Sequence, residues 1–109
     1  MKPLQLRTNN LKPWALSYRV KAMSKEIRFS DHALLKIDLL SERGITIAQE
    51  FVVETIQSPD RREPGEGEKI TAQKQLNENL VLRVVYREYE TFILVITLYP
   101  GRRSRYEKN

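Results

Sequence analysis

Apolar and polar residues alternate through the C-terminal part of the chain and fall at helical spacing before it. From Leu80 to Arg87, Leu80, Leu82, Val84 and Tyr86 share one face, and Val81, Arg83, Val85 and Arg87 share the other. From Thr91 to Tyr99, Phe92, Leu94, Ile96 and Leu98 oppose Ile93, Val95, Thr97 and Tyr99. A period of two is that of a strand, and both runs are rich in β-branched residues. Only Glu88-Tyr89-Glu90 separates them, so they are expected to pair antiparallel. Lys69–Leu76 predicts a strand before them, closed by an Asn77-Glu78-Asn79 turn. Lys25–Ser30 predicts a short first strand with Ile27 and Phe29 on one face. Pro100-Gly101 is expected to break the last strand.

Between the first strand and the others the period changes. Ala33, Ile37 and Leu40 follow i, i+4, i+7, and Leu34, Leu35 and Leu39 widen the stripe, which predicts a helix to about Arg43. Ser30 or Asp31 can cap its start, and Gly44 suits its left-handed end. Thr46 with Gln49 reads as a capping box for a second helix. Ala48, Phe51, Val52 and Ile56 give that helix an apolar face, and Ser58-Pro59 ends it. So short a turn predicts an antiparallel helical hairpin. Residues 58–68 read as a polar, mobile loop.

The predicted order is β-α-α-β-β-β. This is an α+β fold with the hairpin on one face of a small antiparallel sheet. The other face is then half open, with Arg83, Arg87, Thr97 and Tyr99 among Val81, Val85, Ile93 and Val95. Residues 25–106 form the domain and 107–109 a tail. Residues 1–24, interrupted by Pro3 and Pro13, read as a poorly ordered basic extension in which Trp14 is the residue able to dock locally. Met23 is an alternative start.

Composition narrows the function classes. A length of 109 residues fits one domain. The absence of Cys excludes disulfides, thiolate catalysis and Cys-ligated zinc, and a single His excludes a multi-His metal site. No metal or cofactor is expected. No apolar run approaches a membrane span and no secretory signal is present, so a cytoplasmic location is expected. The net charge of +5 is uneven. Residues 1–29 hold seven Lys/Arg against one acid, residues 30–69 five against nine, and residues 70–109 seven against four. Basic ends around an acidic middle suit a protein that meets a polyanion.

Phe29-Ser30-Asp31-His32-Ala33, Glu42-Arg43-Gly44-Ile45-Thr46 and Ser58-Pro59-Asp60 recur in order with Leu82-Arg83-Val84-Val85-Tyr86, Val95-Ile96-Thr97-Leu98-Tyr99-Pro100 and Arg105-Tyr106. Over about residues 25–106 this pattern resembles the RelE/ParE superfamily of toxin–antitoxin toxins, including its BrnT-like members. More closely, it resembles a related small domain family of largely uncharacterised bacterial proteins. The resemblance implies a compact toxin-like domain neutralised by a cognate antitoxin protein. Some relatives cut RNA, in places on the ribosome, and some inhibit gyrase. The one His of this chain starts a helix, whereas the best RNase members carry theirs in the C-terminal strand region.

Metal-free RNA cleavage needs a base for the 2′-hydroxyl, cations for the phosphorane and an acid for the leaving oxygen. Arg83, mid-strand between Val81 and Val85, must be compensated, by phosphate, by an acid of a helix or by snorkelling at the sheet edge. Arg87, Arg102, Arg103 and Arg105 are further candidates for the RNA backbone, and Tyr106 for stacking on a base. Tyr99, Tyr106 and His32 are the candidate proton carriers. His32 more readily makes a local structural contact, and the arginines after Tyr99 can form a solvated tail. The expectation is a metal-independent endoribonuclease toxin. The alternative is a non-catalytic toxin-like module that binds protein or nucleic acid, such as a gyrase-type inhibitor.

Overall fold

The structure, a computed structural model, describes residues 25–107. The expectations for residues 1–24 and 108–109 lie outside the described residues. The elements are β1 (Glu26–Phe29), α1 (Asp31–Glu42), α2 (Gln49–Gln57), β2 (Arg61–Pro64), β3 (Lys69–Gln75), β4 (Leu80–Glu88), β5 (Phe92–Arg102) and α3 (Arg103–Tyr106). They form an α+β fold around one five-stranded sheet of order β1-β5-β4-β3-β2.

The sheet is mixed, which corrects the antiparallel expectation. β1 pairs parallel with β5, from Glu26 opposite Phe92 to Phe29 opposite Val95, and the other pairs are antiparallel. The physical reason is the route of the chain. Two helices and three strands separate β1 from its neighbour, so no hairpin dictates its direction. The supposedly mobile loop also contains β2. Its charged Arg-Arg-Glu-Pro sequence hides it from an apolar-alternation test, yet charges and Pro are what an edge strand tolerates. β5 runs through Pro100-Gly101 to Arg102. β1 covers only Phe92–Val95, so Pro100 lies on a stretch of β5 with one neighbour, where a missing N–H leaves no ladder bond unmade.

Both helices lie on one face. Ala33 and Leu40 of α1 and Val52 and Ile56 of α2 pack on Leu82, Val84, Tyr86, Ile93, Val95 and Leu98, with Ile47 and Ala72 completing the buried cluster. Each helix packs mainly on the sheet, α1 on β5 and α2 on β3 and β4, rather than chiefly on the other as a hairpin would. Ser30 caps α1 by accepting from the Ala33 N–H at 3.0 Å, and Gly44 ends the turn after α1 at φ +86°. The Thr46 cap is overturned. α2 starts after Ala48 with no side-chain cap, and Thr46 is exposed. Leu34, Leu35 and Leu39, expected to widen the core stripe, are 38, 53 and 41 % exposed on the outer side of α1.

One irregularity decides what each face carries. Val85 pairs with Thr97 but Tyr86 pairs with Val95, so Ile96 is an extra residue on β5. A bulge of one residue reverses the parity of everything before it. Ile93 and Val95 therefore lie under the helices, not on the open face as alternation predicted. Phe92 and Leu94 take their place beside Arg87. Ser30 holds the bulge, its N–H donating to Val95 O at 3.0 Å and its hydroxyl to Ile96 O at 2.8 Å.

Candidate functional site

The face opposite α1 and α2 is a row of side chains crossing four strands. Arg61 (β2), Gln73 (β3), Arg83 (β4) and Tyr99 (β5) are successive pairing partners. Arg83 is only 7 % exposed. Its Nε donates to the Tyr99 hydroxyl at 2.9 Å, its Nη1 to Gln73 Oε1, and its Nη2 to Glu63 Oε1 at 3.0 Å. Glu63 lies in the next row, and its other oxygen takes an ion pair from Arg61 at 2.7 Å. The Arg83 charge is thus compensated by a strand acid of the protein.

The same contacts set the protonation states. The hydrogen bond from Arg83, opposed by burial and reinforced by the charges of Arg83 and Arg61, holds the Glu63 carboxyl below its ordinary value of 4.5. Burial disfavours the Arg83 charge most strongly. The hydrogen bonds to Tyr99 and Glu63, together with the coulombic attraction of the same two groups, outweigh it and raise the guanidinium above its ordinary value. Arg83 is therefore a fixed cation.

α3 closes over this row. The Tyr106 ring lies 4.4 Å from Arg83 Cζ, and Arg61 Nη1 donates to Tyr106 O at 3.0 Å. Gly101 makes the approach possible, because a Cβ there would stand 2.3 Å from Tyr106 Cε2. Arg103 ties the helix down, its N–H donating to Asn79 O at 2.9 Å and its Nε to Glu107 Oε1 at 2.7 Å. An open groove of about 440 Å³ runs between Glu78–Leu80 and Arg102–Ser104. Arg102 and Arg105 are exposed and make no ion pair among the described residues.

A second cluster occupies the other end of the face, where the bulge brought Phe92. Tyr89 and Phe92 stack with centroids 4.7 Å apart and planes 17° apart. Arg28 lies over Phe92 at 4.1 Å and Arg87 over Tyr89 at 4.9 Å. Arg87 Nη2 also pairs with exposed Glu68, and its Nε is buried without a partner among the described residues.

The structure thus brings Arg83, Tyr99 and Tyr106 together and sets Arg87 on the same face. Arg102, Arg103 and Arg105 border this cluster around α3 rather than trailing as a tail. His32 is separated from all of them. It is exposed on α1, which packs on the far side of the sheet. Sequence reasoning missed Glu63 and Gln73, because β2 reads as loop and Gln73 carries no signal of its own. It also missed Arg28, Tyr89 and Phe92, which only the bulge and the β1 pairing assemble. Among the described residues no cluster of His, Cys, Asp or Glu is suited to a metal, and no helix is long and apolar enough to cross a membrane. Comparison with protein-family models, curated proteins and solved structures finds no match.

Proposed function

We propose that the protein is a toxin-like nucleic-acid-binding module that takes single-stranded RNA across the sheet face opposite α1 and α2. The observation that carries this reading is the presence of two arginine–aromatic clusters on that one face, Arg83–Tyr99–Tyr106 and Arg28–Phe92–Tyr89–Arg87. Single strands splay their bases, which stack on aromatic and guanidinium planes while arginines meet phosphates. The helical side presents exposed Asp31, Asp38, Glu42, Glu50 and Glu54, which repel a polyanion. Arg102 and Arg105 are the first phosphate ligands, because a phosphate need not displace a carboxylate from them. The antitoxin partner of this reading is a protein that masks the same face.

A second reading, metal-independent cleavage, is favoured by the convergence of Arg83, Tyr99 and Tyr106. Against it, Glu63, Gln73 and Tyr99 already occupy Arg83, and His32 lies across the sheet. Fluorescence anisotropy of labelled single-stranded RNA with the full chain, over a range of salt, tests both readings. Binding is expected to weaken with salt, and the slope to fall by about one for each of Arg102→Ala and Arg105→Ala. No binding at low salt, or binding unchanged when both arginines become Glu, sinks the first reading. RNA cut in chelator, with cutting lost in Tyr99→Phe, establishes the second.

A further inference from the structure

On the helical side of the sheet a pocket of about 320 Å³ opens between the end of α2 and strands β1 to β5. Ile27, Ile56, Ile70 and Ile93 form its apolar wall, and Arg62 and Glu88 are its charged rim. The rim is fixed in place. Arg62 Nη2 donates to Ile56 O at 3.1 Å, and Glu88 pairs with Lys25. Lys25 also donates to Tyr89 O at 2.9 Å. Glu88 therefore does two jobs, lining the pocket and holding the first described residue of the chain.

That placement identifies an occupant. The described chain begins beside the pocket mouth, since Ile27 is a wall residue and Lys25 is pinned to the rim. Residues 13–24 carry Trp14, Leu16, Val20 and Met23, together with Arg19 and Lys21 and no acid. The half-buried Ile27 and Ile70 offer aliphatic surface for such side chains, and α2 beside the pocket exposes Glu50 to the cations. Between Lys25 and Trp14 the chain spans up to roughly 36 Å, enough to turn back into the pocket. An indole suits the site better than the neighbouring aliphatics. It fills more apolar surface and offers its ring face to the Arg62 guanidinium, with Trp the best partner for a cation.

We infer that the isoleucine pocket is an intramolecular docking site for residues 13–24, with Trp14 seated on Ile27 and Ile70, over the buried Ile56 and Ile93. The segment is then part of the helical side of the domain and leaves the RNA-facing side free. This inference is independent of the RNA reading and draws on no side chain of that face.

Trp14 is the only tryptophan, so fluorescence excited on the red edge, beyond the absorption of the tyrosines, reports on it alone. The expected emission is blue-shifted from that of the same chain in denaturant and protected from iodide. Ile70→Phe narrows the pocket from a half-buried position and is expected to return the emission toward the denatured value while circular dichroism stays native. The chain has no cysteine, so Gln57→Cys on the pocket rim accepts a nitroxide at one place. That label is expected to quench Trp14 more than a label at Asp38→Cys on the outer side of α1. Solvent-like emission from the folded full chain overturns the inference. So does a blue shift that survives Ile70→Phe with stronger quenching from position 38, since Trp14 would then sit on the leucines of α1.

Discussion

Under α1 and α2, strands β4 and β5 bury Leu82, Val84, Tyr86, Ile93, Val95 and Leu98. On their other face the same two strands bury Arg83 between Gln73, Glu63 and Tyr99. The first face is held by burial that has no preferred direction, at about 25 cal/mol per Å² of apolar area. The second is held by donors and acceptors that must meet in number and direction. An aliphatic core loses stability in proportion to what is removed. A matched polar network is cheap only while complete, because removing one member strands the others. The face proposed to meet RNA is thus also the face on which the loss of one side chain is passed to its partners.

The largest expected effect tests the apolar side. Leu98 is fully buried, and Leu98→Ala should cost about 2–5 kcal/mol in denaturant unfolding. A loss well below 1 kcal/mol is incompatible with this face being the core.

Arg83→Ala tests the other side. It leaves Gln73 without its partner and Glu63 with Arg61 alone, and should cost on the order of 3 kcal/mol. Arg83→Met, which fills the same space without charge, should recover part of that. Unchanged stability with lost RNA binding would recast Arg83 as a free phosphate ligand instead of a network member.

Gly101→Ala asks whether α3 belongs to the network. The new Cβ meets the Tyr106 ring and should cost about 1–3 kcal/mol, with faster amide exchange in α3. Combining it with Tyr106→Ala should remove the clash, so additive losses from the two substitutions speak against the contact.

The smallest effect is a pH dependence. The folded Glu63 carboxyl lies below 4.5, so the unfolded chain binds a proton first. Its contribution is fully present above that ordinary value and is lost as pH falls through the lower, folded value. The stability difference between the wild type and Glu63→Gln should therefore be constant near neutrality and shrink in acid. A difference that grows in acid reverses the assigned direction.

The two faces were also unequally legible in the sequence. Alternation placed Leu82, Val84 and Tyr86 together and isolated Arg83 opposite them, because side-chain parity along a strand is local. The requirement that Arg83 be compensated could be read there as well. The identity of its partner could not, since Glu63 lies on an edge strand with no apolar signature, twenty residues away in the chain. Tyr99 and Tyr106 were visible as neighbours of the arginine-rich end, but Gly101, which lets Tyr106 reach Arg83, resembled a plain strand terminator.

Sequence by itself determined the helix limits marked by Ser30 and Gly44, the strands from Lys69 onward, and the burial of Ala33, Leu40, Val52 and Ile56. Each depends on propensity, period or capping within one or two turns of chain. Tertiary structure alone decided that β1 runs parallel to β5, that His32 stands across the sheet from the arginines, and that Phe92 faces Arg87. The last follows from the Ile96 bulge, which Ser30 holds by bonds spanning more than sixty residues of chain. A one-residue slip in one strand exchanges its two faces, and no local pattern records it, because the bonds that hold the slip come from a distant part of the chain.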